Sequence, residues 1–155
     1  MIFCSSVHFV ISFRLSGTKT KLLDVGALRR LSIAEEIVHG PTLILVDEPI
    51  TDLEPKDISI IMSGTLRELV NQDRTVVATM HQPSAEVFEL FDTLLLLSYG
   101  RLIYRGPASK AMEFFTSSVH LQFDLKEYAN PAFFLADIAG GRVADKSVCI
   151  VQILL

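Results

Sequence analysis

The sequence predicts an α/β fold: one layer of mainly parallel strands with flanking helices. Short, largely apolar runs point there first: LILV at 43–46, TVVATM at 75–80 and TLLLLS at 93–98. Runs of that length and character read as strands inside a covered sheet. Between them lie stretches with helical spacing and helix-start signals, the alternation of βαβ units. A crossover through a helix makes the strands it joins parallel.

Each element has a local reason. Asp24 is an N-cap, and Leu28, Leu31, Ala34, Ile37 and Val38 recur at helical spacing until Gly40-Pro41 stops the helix. LILV follows as a strand. Glu54-Pro55 supplies a cap and a first-turn proline. Ile58, Ile61, Met62, Leu66, Leu69 and Val70 then make one apolar stripe. NQDR is a polar exit into the second strand, which ends at His81-Gln82-Pro83. SAEVFELF is a short helix, TLLLLS a third strand, and Tyr99-Gly100 a turn into RLIYRG. Pro107 opens a helix holding Ala111, Phe114 and Phe115; Asn130-Pro131 cap and open AFFLADIAGG. The phenylalanine pairs at 114–115 and 133–134 read as core.

Composition narrows the function. The length of 155 residues is that of one domain. Half the residues are apolar and 21% charged, which excludes a disordered chain. A net charge of −4 excludes nucleic-acid binding through bulk electrostatics. Cys4 and Cys149 have neither metal-ligand spacing nor disulfide density, which points to a reducing compartment. No run reaches the roughly 18 apolar residues of a membrane helix. The opening MIFCSSVHFVISF lacks an early positive charge and a cleavage site, so it does not read as a secretory leader. The closing VCIVQILL is apolar and uncapped; exposed, it is an aggregation hazard. It reads as a chain cut short, with poor solubility expected of the chain alone.

Chemistry gathers at the strand ends. LILV runs into Asp47-Glu48-Pro49, and TVVATM runs into His81. Parallel strands finish at the same sheet edge, where open α/β sheets bind ligands. Two acids and an imidazole there suit a phosphate-bound metal. The plainer readings are a turn-capping Asp47, a solvated Glu48 and a turn residue at His81.

Taken together, LSIAEEIVHGPTLILVDEP, VVATMHQPSAEVFELFDTLLLLSYGRLIYRGPA and NPAFFLADIAGG resemble the second half of an ATP-binding cassette. The resemblance is greatest to the G subfamily of ABC transporters, the white and pleiotropic-drug-resistance type. It covers residues 23–141, leaving 1–22 and 142–155 unassigned, and implies a partial P-loop NTPase-like layer. By that resemblance ATP and Mg²⁺ are the cofactors. Asp47 helps hold Mg²⁺ through water, Glu48 orients or activates the attacking water, and His81 reaches the γ-phosphate. Gln82 continues the switch; Asp24 and Gly26 occupy the signature segment; Thr51, Asp52, Leu53 and Glu54 occupy the segment that couples two cassettes. The implied partners are a second cassette and a transmembrane domain, on the cytoplasmic side of a membrane.

Departures accompany the likeness. A phosphate loop reads G-x-x-x-x-G-K-[ST], and the nearest approach is Ser16-Gly17-Thr18-Lys19-Thr20, with Lys19 only 28 positions before Asp47 (47 − 19). Asp24 stands where a hydrogen-bond donor to phosphate is expected, and two like charges about 4 Å apart repel by roughly 4 kcal/mol near a protein surface. Asp52 replaces a glycine, and Glu54 lengthens an acid. The expectation is a cassette fragment without ATP turnover of its own. The alternatives are a non-catalytic module that pairs with a complete cassette, a fragment of a soluble non-transport ATPase, and a truncated gene.

Overall fold

The computed structural model describes residues 22–118 and 130–140, together with the backbone of 149–154. Residues 1–21 of the unassigned start, including the Ser16–Thr20 run, lie outside these residues.

Local signals place the elements. Helix α1 (Val25–Ile37) starts where Asp24 Oδ1 accepts the Ala27 amide at 2.6 Å, which satisfies a first-turn N–H. Strand β1 (Leu43–Val46) follows. Helix α2 (Pro55–Ser59) has proline in its first turn and a backbone cap at Glu54. It continues through a π-helical segment, Ile60–Leu66, into α3 (Arg67–Val70). In the wider turn the Thr65 hydroxyl donates to the Ile60 carbonyl at 3.1 Å. A buried hydroxyl thereby gains a partner. Strand β2 (Thr75–Met80) leads to α4 (Ala85–Glu89), whose cap, Ser84 Oγ, accepts the Val87 amide at 3.3 Å.

Strands β3 (Thr93–Ser98) and β4 (Arg101–Pro107) form a hairpin. Tyr99 and Gly100 have φ of 46° and 74°, the left-handed pair that a two-residue turn with matching twist requires. A 3₁₀ turn, Ala108–Lys110, precedes α5 (Ala111–Ser118), so Pro107 ends a strand rather than opening a helix. In α6 (Pro131–Gly140), Asn130 Oδ1 accepts the Ala132 amide at 2.9 Å. The last strand is β5 (Cys149–Leu154).

The sheet runs β1-β2-β5-β3-β4. Among the described residues only β1 and β2 pair in parallel; β5 is antiparallel to both β2 and β3, and β3 to β4. The layer is thus mixed, not mainly parallel, and a P-loop NTPase layer is not shown. Two causes account for the difference: the tight Tyr99-Gly100 turn reverses the chain, and the apolar C-terminal run enters between β2 and β3. Those inner edges need hydrogen-bond partners, and β5 supplies them.

Alternate strand residues pack against the helices. Ile44, Val76, Ala78 and Met80 join Ile33, Ile61, Met62, Leu66, Leu69 and Phe91 in one cluster. Leu94 and Leu96 join Phe88, Tyr104, Phe115, Phe134 and Leu135 in a second. The opposite face stays open at β1, where Leu43 is 54% and Leu45 73% exposed. Phe115 and Phe134 are core as expected, whereas Phe114 and Phe133 are each 45% exposed.

Candidate functional site

The β1–β2 register pairs Val46 with Ala78. One step further, Asp47 lies beside Thr79, and the contact is made: the Thr79 hydroxyl donates to Asp47 Oδ1 at 2.5 Å. The same hydroxyl oxygen accepts the Glu48 amide at 2.9 Å. One threonine on β2 therefore fixes both the carboxylate and the backbone that follows it. Glu48 Oε2 in turn accepts the Thr51 hydroxyl at 3.0 Å. Asp47 and Glu48 are exposed, Pro49 behind them is buried.

Backbone strain marks the same rim. Glu48 and Gln82, each just beyond its strand, have φ of 42° and 46°, and Asp52 has φ of 61°. Such conformations cost on the order of 1–3 kcal/mol each and persist only where their surroundings hold them. At Asp52 the left-handed backbone is what a glycine would adopt freely.

His81 and Gln82 are exposed at the end of β2. No hydrogen bond joins His81 to Asp47 or Glu48 among the described residues. Nor does any group of three or more His, Cys, Asp or Glu among them form a metal cage. The two strands do finish at one rim, but the side chain that meets the acids is Thr79. The loop after His81 is held from below: Asn130 Nδ2 donates to the Pro83 carbonyl at 2.8 Å.

Asp24 and Gly26 are engaged elsewhere. The Asp24 carboxylate caps α1. Gly26 packs so tightly on α2 that an added Cβ would overlap the Asp57 carboxylate, which is paired with Arg30. After β1, Leu53 packs against the first core cluster, while Glu54 holds α2 through its backbone alone.

Mg²⁺ can be tested against these donors. It takes one or two carboxylates and completes its octahedron with waters and phosphate oxygens. An exposed Asp47 oriented by Thr79 fits that demand without a protein cage. Thr79 was legible only through the strand register.

Comparison with known proteins defines the class first. Residues 81–153 match the model of the ABC-2 type transporter family. This is a membrane-transporter family, and the match supports membrane association. No helix among the described residues is long and apolar enough to cross a membrane.

More particularly, the chain is homologous to G-subfamily ABC transporters. It is 36% identical over 132 residues to ABC transporter G family member 1 of Dictyostelium discoideum, covering 85% of this chain and 16% of that protein. It is 41% identical over 131 residues to ABC transporter G family member 14 of Arabidopsis thaliana, covering 84% and 20%. With the Broad substrate specificity ATP-binding cassette transporter ABCG2 of Rattus norvegicus it shares 36% over 126 residues, 81% and 19%. The chain thus spans about a sixth to a fifth of the length of these relatives.

The subfamily expectation agrees with these relatives; the expected half of a nucleotide-binding domain does not stand. The family matched is the ABC-2 transporter, a membrane-domain family, and no nucleotide-binding domain is shown. The runs HQPS, YRGPA and NPAFF all fall inside 81–153, the residues that this family claims.

Proposed function

We propose that the chain is a segment of a G-subfamily ABC transporter whose acidic rim receives a Mg²⁺-bound phosphate. Asp47 would hold the ion through water, beside Glu48, with His81 and Gln82 as polar groups at the neighbouring strand end. ATP meeting this rim through the ion would supply the phosphate oxygens, and Mg²⁺ their charge neutralisation. The whole transporter would couple ATP hydrolysis to movement of lipids or hydrophobic compounds. The observation that carries this reading is the Thr79 hydroxyl bound to Asp47 at 2.5 Å and to the Glu48 amide at 2.9 Å.

Electron paramagnetic resonance of Mn²⁺, a Mg²⁺ surrogate, tests it. ATP-dependent loss of the free-ion signal on adding chain, abolished by Asp47→Asn, is expected, with phosphate release at the blank rate. A signal indifferent to the chain, or to Asp47→Asn, overturns the reading.

A second reading is favoured by the open β1 face at Leu43 and Leu45: a non-catalytic module that docks on a complete cassette or on a transmembrane domain. Capture of a full-length G-family transporter by the chain, lost in Leu45→Lys, supports it; no capture counts against it.

A further inference from the structure

At the far end of the sheet, β4 and α5 enclose a shallow cleft of about 490 Å³. Tyr104 and Phe114 line it, and buried Phe115 packs against both, the three ring centroids lying 5.0–5.9 Å apart. The Tyr104 hydroxyl donates to the Pro107 carbonyl at 2.8 Å, which turns its polar end inward and fixes the ring; burial raises its pKa. Gly106 leaves room for that ring: an added Cβ would lie 2.9 Å from the phenol oxygen. Phe114 remains 45% exposed.

Cations stand at the same cleft. Arg105 and Lys110 line it, both exposed, and neither has an ion-pair partner among the described residues. Among the described residues, Glu113 is the one acid on the lining. Residues 99–118 carry three basic and one acidic side chain, a local charge of +2 (3 − 1), within a chain of net charge −4.

We propose that this cleft binds an anionic amphiphile: a phosphate or carboxylate head on Arg105 and Lys110, with an apolar body on Phe114 and Tyr104. The volume lies within the range of about 300–1,000 Å³ usual for small-molecule sites. Two cations suit a charge-assisted contact with an anionic head. An apolar body covers Phe114, which water otherwise meets. Among the described residues of the lining, Phe114 and Tyr104 offer apolar surface and none is an Asn or Gln that could read the edges of a base, so an apolar body suits them better than a nucleotide.

Isothermal titration of the full chain tests the site with dihexanoyl phosphatidic acid as monomer, beside dihexanoyl phosphatidylcholine, ATP and inorganic phosphate. Saturable binding of the phosphatidic acid is expected, at least about tenfold tighter than the other three. Arg105→Ala with Lys110→Ala should weaken it about tenfold, and Glu113→Gln should strengthen it. Phe114→Ser should weaken it without altering the binding of inorganic phosphate. A vesicle arm separates two sources of this chemistry. Binding to phosphatidic acid vesicles, competed by the monomer and weakened by the same variants, assigns a membrane lipid. Monomer binding alone assigns a soluble amphiphile. No binding of the monomer, equal binding of inorganic phosphate or ATP, or indifference to both Glu113→Gln and the double alanine variant overturns the proposal.

Discussion

At one end of the sheet two parallel strands finish in Asp47, Glu48 and His81, and a threonine 32 residues from Asp47 holds the acids in place. At the other end an antiparallel hairpin, closed by Tyr99-Gly100, carries Arg105 beside Lys110 and the rings of Tyr104 and Phe114. The acidic site depends on long-range register: a slip of one residue would carry Thr79 away from Asp47. The basic cleft is local, built within residues 103–117. Strand β5 lies between the two and pairs with both halves. The two ends should therefore respond differently to change, yet unfold together as long as β5 is present.

Deleting residues 149–155 breaks that link most severely. The inner edges of β2 and β3 would lose their partner, at a cost comparable with the whole stability of a domain, about 5–15 kcal/mol. Loss of the cooperative thermal transition is expected by calorimetry; an unchanged transition would mean that β5 does not join the halves. Next come the cores. Leu66→Ala in one cluster and Leu96→Ala in the other, both at 0% exposure, should each cost roughly 2–5 kcal/mol. Denaturant unfolding should show one transition shifted in both variants. Two transitions, each answering to one variant, would separate the halves.

Gly26→Ala is smaller and confined to the acidic half. Overlap with the Asp57 carboxylate disturbs its pair with Arg30, for about 1–3 kcal/mol, read as a lower denaturation midpoint. The smallest effect belongs to the hairpin. Tyr99 has φ of 46°, a conformation that asparagine tolerates better, so Tyr99→Asn should stabilise by up to about 1 kcal/mol. A loss of stability would mean that the Tyr99 ring contributes packing.

Local signals were legible in the sequence. The Asp24 cap, the Glu54-Pro55 start and the Asn130-Pro131 start each depend on a few adjacent residues, and all three stand in the structure. What depended on distant pairing was not. Nothing in CIVQIL announces that it enters antiparallel between β2 and β3, because an apolar run fits either strand direction. The π-helical turn at Ile60–Leu66 shares its apolar stripe with an ordinary helix. The acids at the end of β1 and His81 at the end of β2 were legible as one rim from the parallel strands, but the acids' partner Thr79 was hidden by register. Asp24 caps α1, as its place just before the helical spacing begins predicts.

A double-mutant cycle on Asp47 and Thr79 tests the rim most directly. Unfolding free energies of the parent chain, Asp47→Asn, Thr79→Val and the double variant would be compared. Residues in one hydrogen-bond network couple by about 0.5–3 kcal/mol, and a coupling in that range is predicted. Strictly additive losses would show that the two strand ends do not meet, and the acidic rim would dissolve into two unrelated loops.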